Sequence, residues 1–222
     1  MKRMKGMKMK IMKKNRMLSF MTFTFLMSFM STFSVPQPRA QITEAPTVLV
    51  RIETPLGNMD LAIDTKRAPV TSANFLKYVD AGLYNGGRFH RATRPDNYTP
   101  TPPNRPAMAL IQGGINPERR NDGFPAIPLE RTSVTGITHV AGVVSMARVA
   151  ADTATSDFFI LLDDQPSLDH GGMRFDDGQG AAAFGRVVAG LDVVRKIQQQ
   201  PVEKQALTPP VTILKIARVT KS

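Results

Sequence analysis

From Thr47 onward, short β-rich runs bounded by Gly and Pro recur along the chain, while helical spacing of apolar residues appears only twice. Thr47 to Thr54 ends in the turn signal Pro55-Leu56-Gly57-Asn58, and Met59 to Ile63 follows, which predicts a hairpin. Further strands are predicted at Arg88 to Ala92, Ala109 to Gly113, Val140 to Ala147, Asp157 to Leu161, Ala182 to Val188 and Val211 to Val219. Pro69 to Ala81 places Val70, Phe75, Leu76 and Val79 at helical spacings, with Pro69 in its first turn and Gly82 at its end. Leu191 to Gln198 is the second predicted helix. Many short strands with two helices describe an antiparallel barrel or sandwich, and the pattern alone does not choose between them. Dense Val, Ile, Phe and Leu on the strands predict an interior filled by side chains, not a lumen for an apolar ligand.

The ends of the chain change how its charge is read. Residues 1–16 carry Lys2, Arg3, Lys5, Lys8, Lys10, Lys13, Lys14 and Arg16 without an acid, and Met17 to Phe33 is an uncharged run rich in Phe, Met and Leu. This is the pattern of a secretory signal peptide over residues 1–40, with 41–46 as a linker and the folded domain at 47–222. Seventeen residues broken by Ser19, Thr22, Thr24, Ser28, Ser31 and Thr32 are short and polar for a membrane span. The expected location is the periplasm, and the alternative is an uncleaved anchor in the inner membrane facing the periplasm. The chain has 29 Lys and Arg; without the 9 in residues 1–40, 20 remain against 18 Asp and Glu. The folded part is nearly neutral, so the basic excess does not point to nucleic acid.

Roughly 180 residues make one domain with enough chain for a core. With no cysteine, a disulfide framework and thiol chemistry are excluded. His90, His139 and His170 lie far apart without ligand spacing, and the Asp163-Asp164 and Asp176-Asp177 pairs lack a calcium-loop pattern, so no metal is expected. A hydrolase could be assembled from Ser145, His90 and Asp169, but there is no G-x-S-x-G elbow to support it.

Phe89-His90-Arg91, then Ile111-Gln112-Gly113-Gly114, Gly142 to Arg148, Thr155 to Ile160, Leu168-Asp169-His170 and Phe184 to Val187 follow one another in an order that resembles the cyclophilins. These are peptidyl-prolyl cis/trans isomerases, and the resemblance runs from about Val48 to the C-terminus. It implies a closed eight-stranded antiparallel β-barrel capped by two α-helices. It also implies isomerisation of X-Pro bonds in proline-containing, extended or unfolded polypeptides, by a monomer that uses no cofactor.

Chemistry agrees with that assignment. An X-Pro bond rotates over a barrier near ~20 kcal/mol because amide resonance must be broken. A guanidinium that donates to the prolyl nitrogen stabilises the twisted peptide more than the planar one, which is what lowers a barrier. Arg91 is the candidate for this role, and Gln112 is the residue that holds it and the substrate backbone. By resemblance, Phe159 floors the proline site, Leu110 and Leu168 wall it, and Ala147 and Arg148 present backbone to the peptide. Phe158 should face away from Phe159 by strand alternation. His90 reads as structural, since no proton is transferred.

Several positions depart from the family. Asp157 replaces a glutamine and could divert Arg91 or Arg148; Ser167, Ala181 and Ala109 stand where rings are common, which predicts a shallow pocket. Twenty residues, Ala92 to Ile111, separate Arg91 from Gln112, far more than the family pattern, and they include Pro95, Pro100, Pro102, Pro103 and Pro106. This Pro-rich insertion at about 92–108 should form a surface loop beside the site, inert or acting as an extra wall or internal pseudo-substrate. The weakened pocket leaves a second reading open: a cyclophilin-like peptide-binding chaperone or scaffold of low or no catalytic activity.

Overall fold

The computed structural model describes residues 47–98 and 106–219. The expected signal segment and linker, and the middle of the Pro-rich insertion, lie outside the described residues. Among those described, strands β1 (Thr47–Thr54), β2 (Gly57–Asp64), β3 (Arg88–Thr93), β4 (Leu110–Gly114), β5 (Val143–Met146), β6 (Phe158–Leu161), β7 (Ala182–Ala189), β8 (Val202–Glu203), β9 (Ala206–Thr212) and β10 (Lys215–Arg218) form one antiparallel sheet. Its order is β10-β1-β2-β7-β5-β6-β4-β3-β9-β8.

This corrects the expected closed barrel of eight strands. The sheet has ten strands and its end strands, β10 and β8, are not paired with each other. The single strand expected over Val211 to Val219 is two. β9 pairs with β3 and β10 with β1, and Ile213-Leu214 between them bonds to both sides: Ile213 N donates to Gly87 O at 2.8 Å, and Leu214 N to Glu53 O at 2.8 Å. The two halves of the sheet are thus brought together by the bend of the chain instead of by a continuous ladder. β9 begins before the expected Val211 even though Pro209 and Pro210 have no N–H to give a ladder, which by sequence argues against a strand there.

Helix α1 (Pro69–Asp80) and helix α3 (Leu191–Gln198) are the two expected helices; a single turn, α2 (Thr132–Thr135), and two 3₁₀ segments were not read from the sequence. Pro69 occupies the first turn of α1, and the free amides of Val70 and Thr71 are met by the Glu130 carboxylate at 3.1 and 2.7 Å, an anion at the positive end of the helix. α1 buries Phe75, Leu76, Tyr78 and Val79, and α3 buries Val193, Val194 and Ile197. Phe75 lies 5.3 Å from Tyr84, 5.5 Å from Phe158 and 5.1 Å from Phe184, ring centre to ring centre. Phe158 also meets Tyr84 and Phe89 edge-on at 5.5 and 5.9 Å. Such geometry adds to burial about 0.5–1.5 kcal/mol per aromatic pair.

Candidate active site

One register row builds the site. Arg91 on β3 lies opposite Gln112 on β4, Gln112 opposite Phe159 on β6, and Phe159 opposite Ser145 on β5. Residues directly opposite in an antiparallel pair share a face. Phe158, one residue earlier on β6, points into the aromatic core, so Arg91, Gln112, Phe159 and Ser145 belong to the other face. The alternation predicted for the two phenylalanines is what the sheet shows.

Arg91 is held by two neutral amides. Its Nη1 donates to Gln112 Oε1 at 3.1 Å, while its Nε and Nη2 donate to Gln205 Oε1 at 2.9 and 2.7 Å. Gln205 is 114 residues away in sequence and nothing local marks it. Its position comes from a bulge: the β3–β9 register shifts between Phe89 and Arg91, Ala92 N donates to Gln205 O at 2.9 Å, and Gln205 is set beside the guanidinium. Burial pushes the Arg91 proton affinity below its ordinary value, and the nearby charge of Arg174 adds to this. Arginine stays charged through such a shift. The result is a half-buried cation fixed in orientation without a carboxylate bonded to it.

The Gly113-Gly114 pair lies inside β4, not in a turn. A side chain on Gly113 would approach the Phe89 ring to 2.8 Å, and one on Gly114 would collide with the Asp157 carboxylate. Asp157 does not divert either arginine. Its Oδ2 is 3.7 Å from His90 Nε2. An open pocket of about 680 Å³ is lined by Arg88, His90, Gly114, Arg120, Phe124 and Asp157, among others, and by none of the residues expected to act.

The other expected residues are placed unevenly. Leu110, Phe159 and Leu168 are buried in one hydrophobic cluster. Ala147 is half-buried and its amide is already bonded to Asp157 O at 2.8 Å, so that N–H is not free for a peptide. Arg148 is turned into the loop after Leu168: it donates to Gly180 O at 2.6 Å, forms a two-point pair with Asp177 at 2.8 and 2.8 Å, and stacks on Phe175 at 3.6 Å. That pair holds the Asp177 carboxyl at about 2.

A serine–histidine–aspartate chain does exist, through His139 instead of His90. His139 Nδ1 is 2.7 Å from Asp169 Oδ1, and Nε2 is 3.0 Å from Ser145 Oγ. Ser145 is fully buried, so no substrate carbonyl can reach it. The chain ties the segment carrying Leu168 to β5, and the imidazole lies parallel to Phe159, 6.3 Å between centres and 17° between planes. It is a support beneath Phe159.

Comparison with known proteins points to one family. Residues 49–218 match the family described as cyclophilin type peptidyl-prolyl cis-trans isomerase/CLD. A peptidyl-prolyl cis-trans isomerase A of Dickeya dadantii is 36% identical over 155 residues, covering 69% of this chain and 73% of that protein. A peptidyl-prolyl cis-trans isomerase B of Escherichia coli K12 is 30% identical over 151 residues, 68% of this chain and 84% of that protein. A solved Cryptosporidium parvum cyclophilin type isomerase has a TM-score of 0.62 at 20% identity, over 80% of this chain and 100% of its own, which shows the shared fold. A second structure of that protein, in the presence of the dipeptide Ala-Pro, scores 0.60 at 20% identity over 78% of this chain and 99% of its own. With an arginine and a glutamine on adjoining strands in front of a phenylalanine, and the family match spanning the described sheet, the chain belongs to the cyclophilin type peptidyl-prolyl cis-trans isomerases.

Proposed function

We propose that the protein accelerates cis/trans isomerisation of X-Pro bonds in extended or unfolded polypeptides, with Arg91 as the catalytic donor. The observation that carries this reading is the guanidinium bonded to Gln112 and Gln205 and to no carboxylate. Its charge is left for the substrate. As the peptide twists, the prolyl nitrogen regains its lone pair and becomes an acceptor, so donation from Arg91 is strongest where the bond is most twisted. Pre-aimed donors of this kind lose little on reorganisation, because the two glutamines already hold the planar group. Phe159, over the His139 ring, supplies an apolar floor for the pyrrolidine ring, between Leu110 and Leu168.

Arg91→Ala tests the assignment. A pre-organised donor is worth about 10²–10³-fold in turnover, and a loss of that size in a protease-coupled or NMR exchange assay is expected, with peptide binding reduced far less. Unchanged turnover would remove Arg91 from the mechanism. A wild-type protein that binds proline peptides but turns none over would instead establish the scaffold reading, which the small residues Ser167 and Ala109 favour.

Export to the periplasm is part of the same proposal, supported by the basic then apolar residues 1–33. Fractionation of a bacterial expression host, with N-terminal sequencing of the product, should recover a periplasmic form that begins near Gln41; a full-length cytoplasmic product would overturn it.

A further inference from the structure

Ser167 and Ala109 leave two sides of the proposed proline site without aromatic rings. A different aromatic residue, Tyr98, is linked to Ser167 through Arg174. Tyr98, inside the Pro-rich insertion, is 8% exposed and belongs to the same continuous apolar cluster as Leu110, Phe159 and Leu168. The described residues at both stems of the insertion are held by hydrogen bonds. On one side, Arg94 N donates to Asn97 Oδ1 at 2.7 Å, Asn97 Nδ2 to Ala92 O at 3.2 Å, and the Arg94 guanidinium to Gln198 O. On the other, Gln165 Nε2 donates to Ala107 O at 3.0 Å, the Asp163 carboxylate accepts from Ala109 N at 3.2 Å, and Met108 is buried.

Tyr98 has one partner that matters for chemistry. The Arg174 guanidinium donates to its hydroxyl and lies 5.4 Å from its ring centre. The Arg174 backbone is itself fixed, its N–H donating to Ser167 O at 2.9 Å, one residue before Leu168. A bridge therefore joins the insertion to the segment after β6 where a ring is missing. Arg148, which reaches this segment from the end of β5, is neutralised by Asp177, whereas the partner of Arg174 at Tyr98 is an uncharged phenol. The Arg174 charge is felt at Arg91, so the two cations share one field.

We propose that Tyr98 and Arg174 form an added, cationic wall of the prolyl site, which makes this isomerase select peptides carrying a carboxylate side chain next to the proline. The proposal rests on the isomerase reading and deepens it. Asp157, the acid that sequence placed nearest the pocket, is turned to His90 and does not cancel the wall. A glutamate beside the proline meets Arg174 as a partly screened ion pair, whereas a lysine there meets two like charges.

The test uses tetrapeptides Ala-X-Pro-Phe and Ala-Ala-Pro-X, with X as Glu, Ala or Lys, at low and high salt. For the wild type, kcat/KM with Glu should exceed that with Lys about fivefold in at least one series, as for an ion pair near a surface, and the ratio should shrink at high salt. Arg174→Gln should bring the ratio close to one, Arg174→Lys should keep most of it, and Tyr98→Ala should lose it by releasing the guanidinium. A wild-type ratio near one in both series, or a ratio that survives Arg174→Gln, overturns the proposal. Affinities for the same peptides by NMR shift perturbation carry the same Glu-to-Lys ratio without turnover. Absent turnover thus counts against the isomerase reading, and an absent affinity ratio counts against the cationic wall.

Discussion

Phe158 and Phe159 are neighbours on β6, both nearly inaccessible to solvent, yet their surroundings differ in kind. Phe158 lies among Phe75, Tyr84 and Phe89, all fully buried rings. Phe159 has an imidazole beneath it, Gln112 on one side in the ladder and Ser145 on the other. One strand thus divides its work between faces. The core face gains stability from close apolar packing, and on the outer face buried polar groups hold Arg91 and Phe159 in fixed positions.

The largest effects should separate the two phenylalanines. Phe158→Ala removes a ring from a packed aromatic cluster and should cost about 3–5 kcal/mol of stability, read by urea unfolding. Phe159→Ala should cost less stability and reduce kcat/KM by about tenfold, which corresponds to ~1.4 kcal/mol of transition-state binding. If both variants lost stability equally and Phe159→Ala kept full activity on the fraction that folds, the two faces would not differ in function.

A smaller effect is expected at Gln205, whose side-chain oxygen accepts from Arg91 Nε and Nη2. Gln205→Ala frees two of the guanidinium's three bonds, so kcat should fall by about threefold to tenfold with KM little changed, given that a hydrogen bond to a charged group is worth ~1.5–3 kcal/mol and part is recovered by water. A rise in KM with kcat intact would assign Gln205 to substrate binding instead.

The smallest effect concerns the loop after Leu168. Asp177 has its carboxyl lowered from 3.8 to about 2 by the Arg148 pair, helped by the Gln179 amide. A depressed carboxyl contributes its stability fully above its unfolded value, near pH 4, and loses it as pH falls through about 2. NMR titration should therefore show the Arg148–Asp177 pair intact at pH 4 and opening between pH 3 and pH 2. Opening above pH 4 would show that the pair does not hold the loop.

How far the sequence was legible depended on whether a signal was local. Strands β1, β2, β6 and β7, helix α1 and helix α3 were readable because alternation, Pro69, Gly82 and the Pro55 to Asn58 turn are encoded within a few residues. β9 was not, since Pro209 and Pro210 look like the end of a strand. In the site, Arg91, Gln112 and Phe159 could be named from their resemblance to a known order of residues, and the register row then explains why they stand together. Gln205, His139, Tyr98 and Arg174 carry no such mark, and Asp157, a carboxylate that could have diverted Arg91 or Arg148, lies nearest His90 instead.

The sequence by itself determined the type of protein: a mainly antiparallel domain, an arginine and a glutamine on neighbouring strands, two phenylalanines on opposite faces, and a long insertion between the first two. The strands and the opposite faces of the two phenylalanines follow from period-two alternation, and the pairing of arginine with glutamine from the resemblance to a known order of residues. Tertiary structure decided how the arginine is held, which histidine completes the buried chain to Ser145, and that Arg174 meets Tyr98. Each of these rests on partners far apart in sequence, such as Arg91 with Gln205 or Tyr98 with Arg174. Partners at that separation meet only after bulges, bends and stems have fixed the path of the backbone.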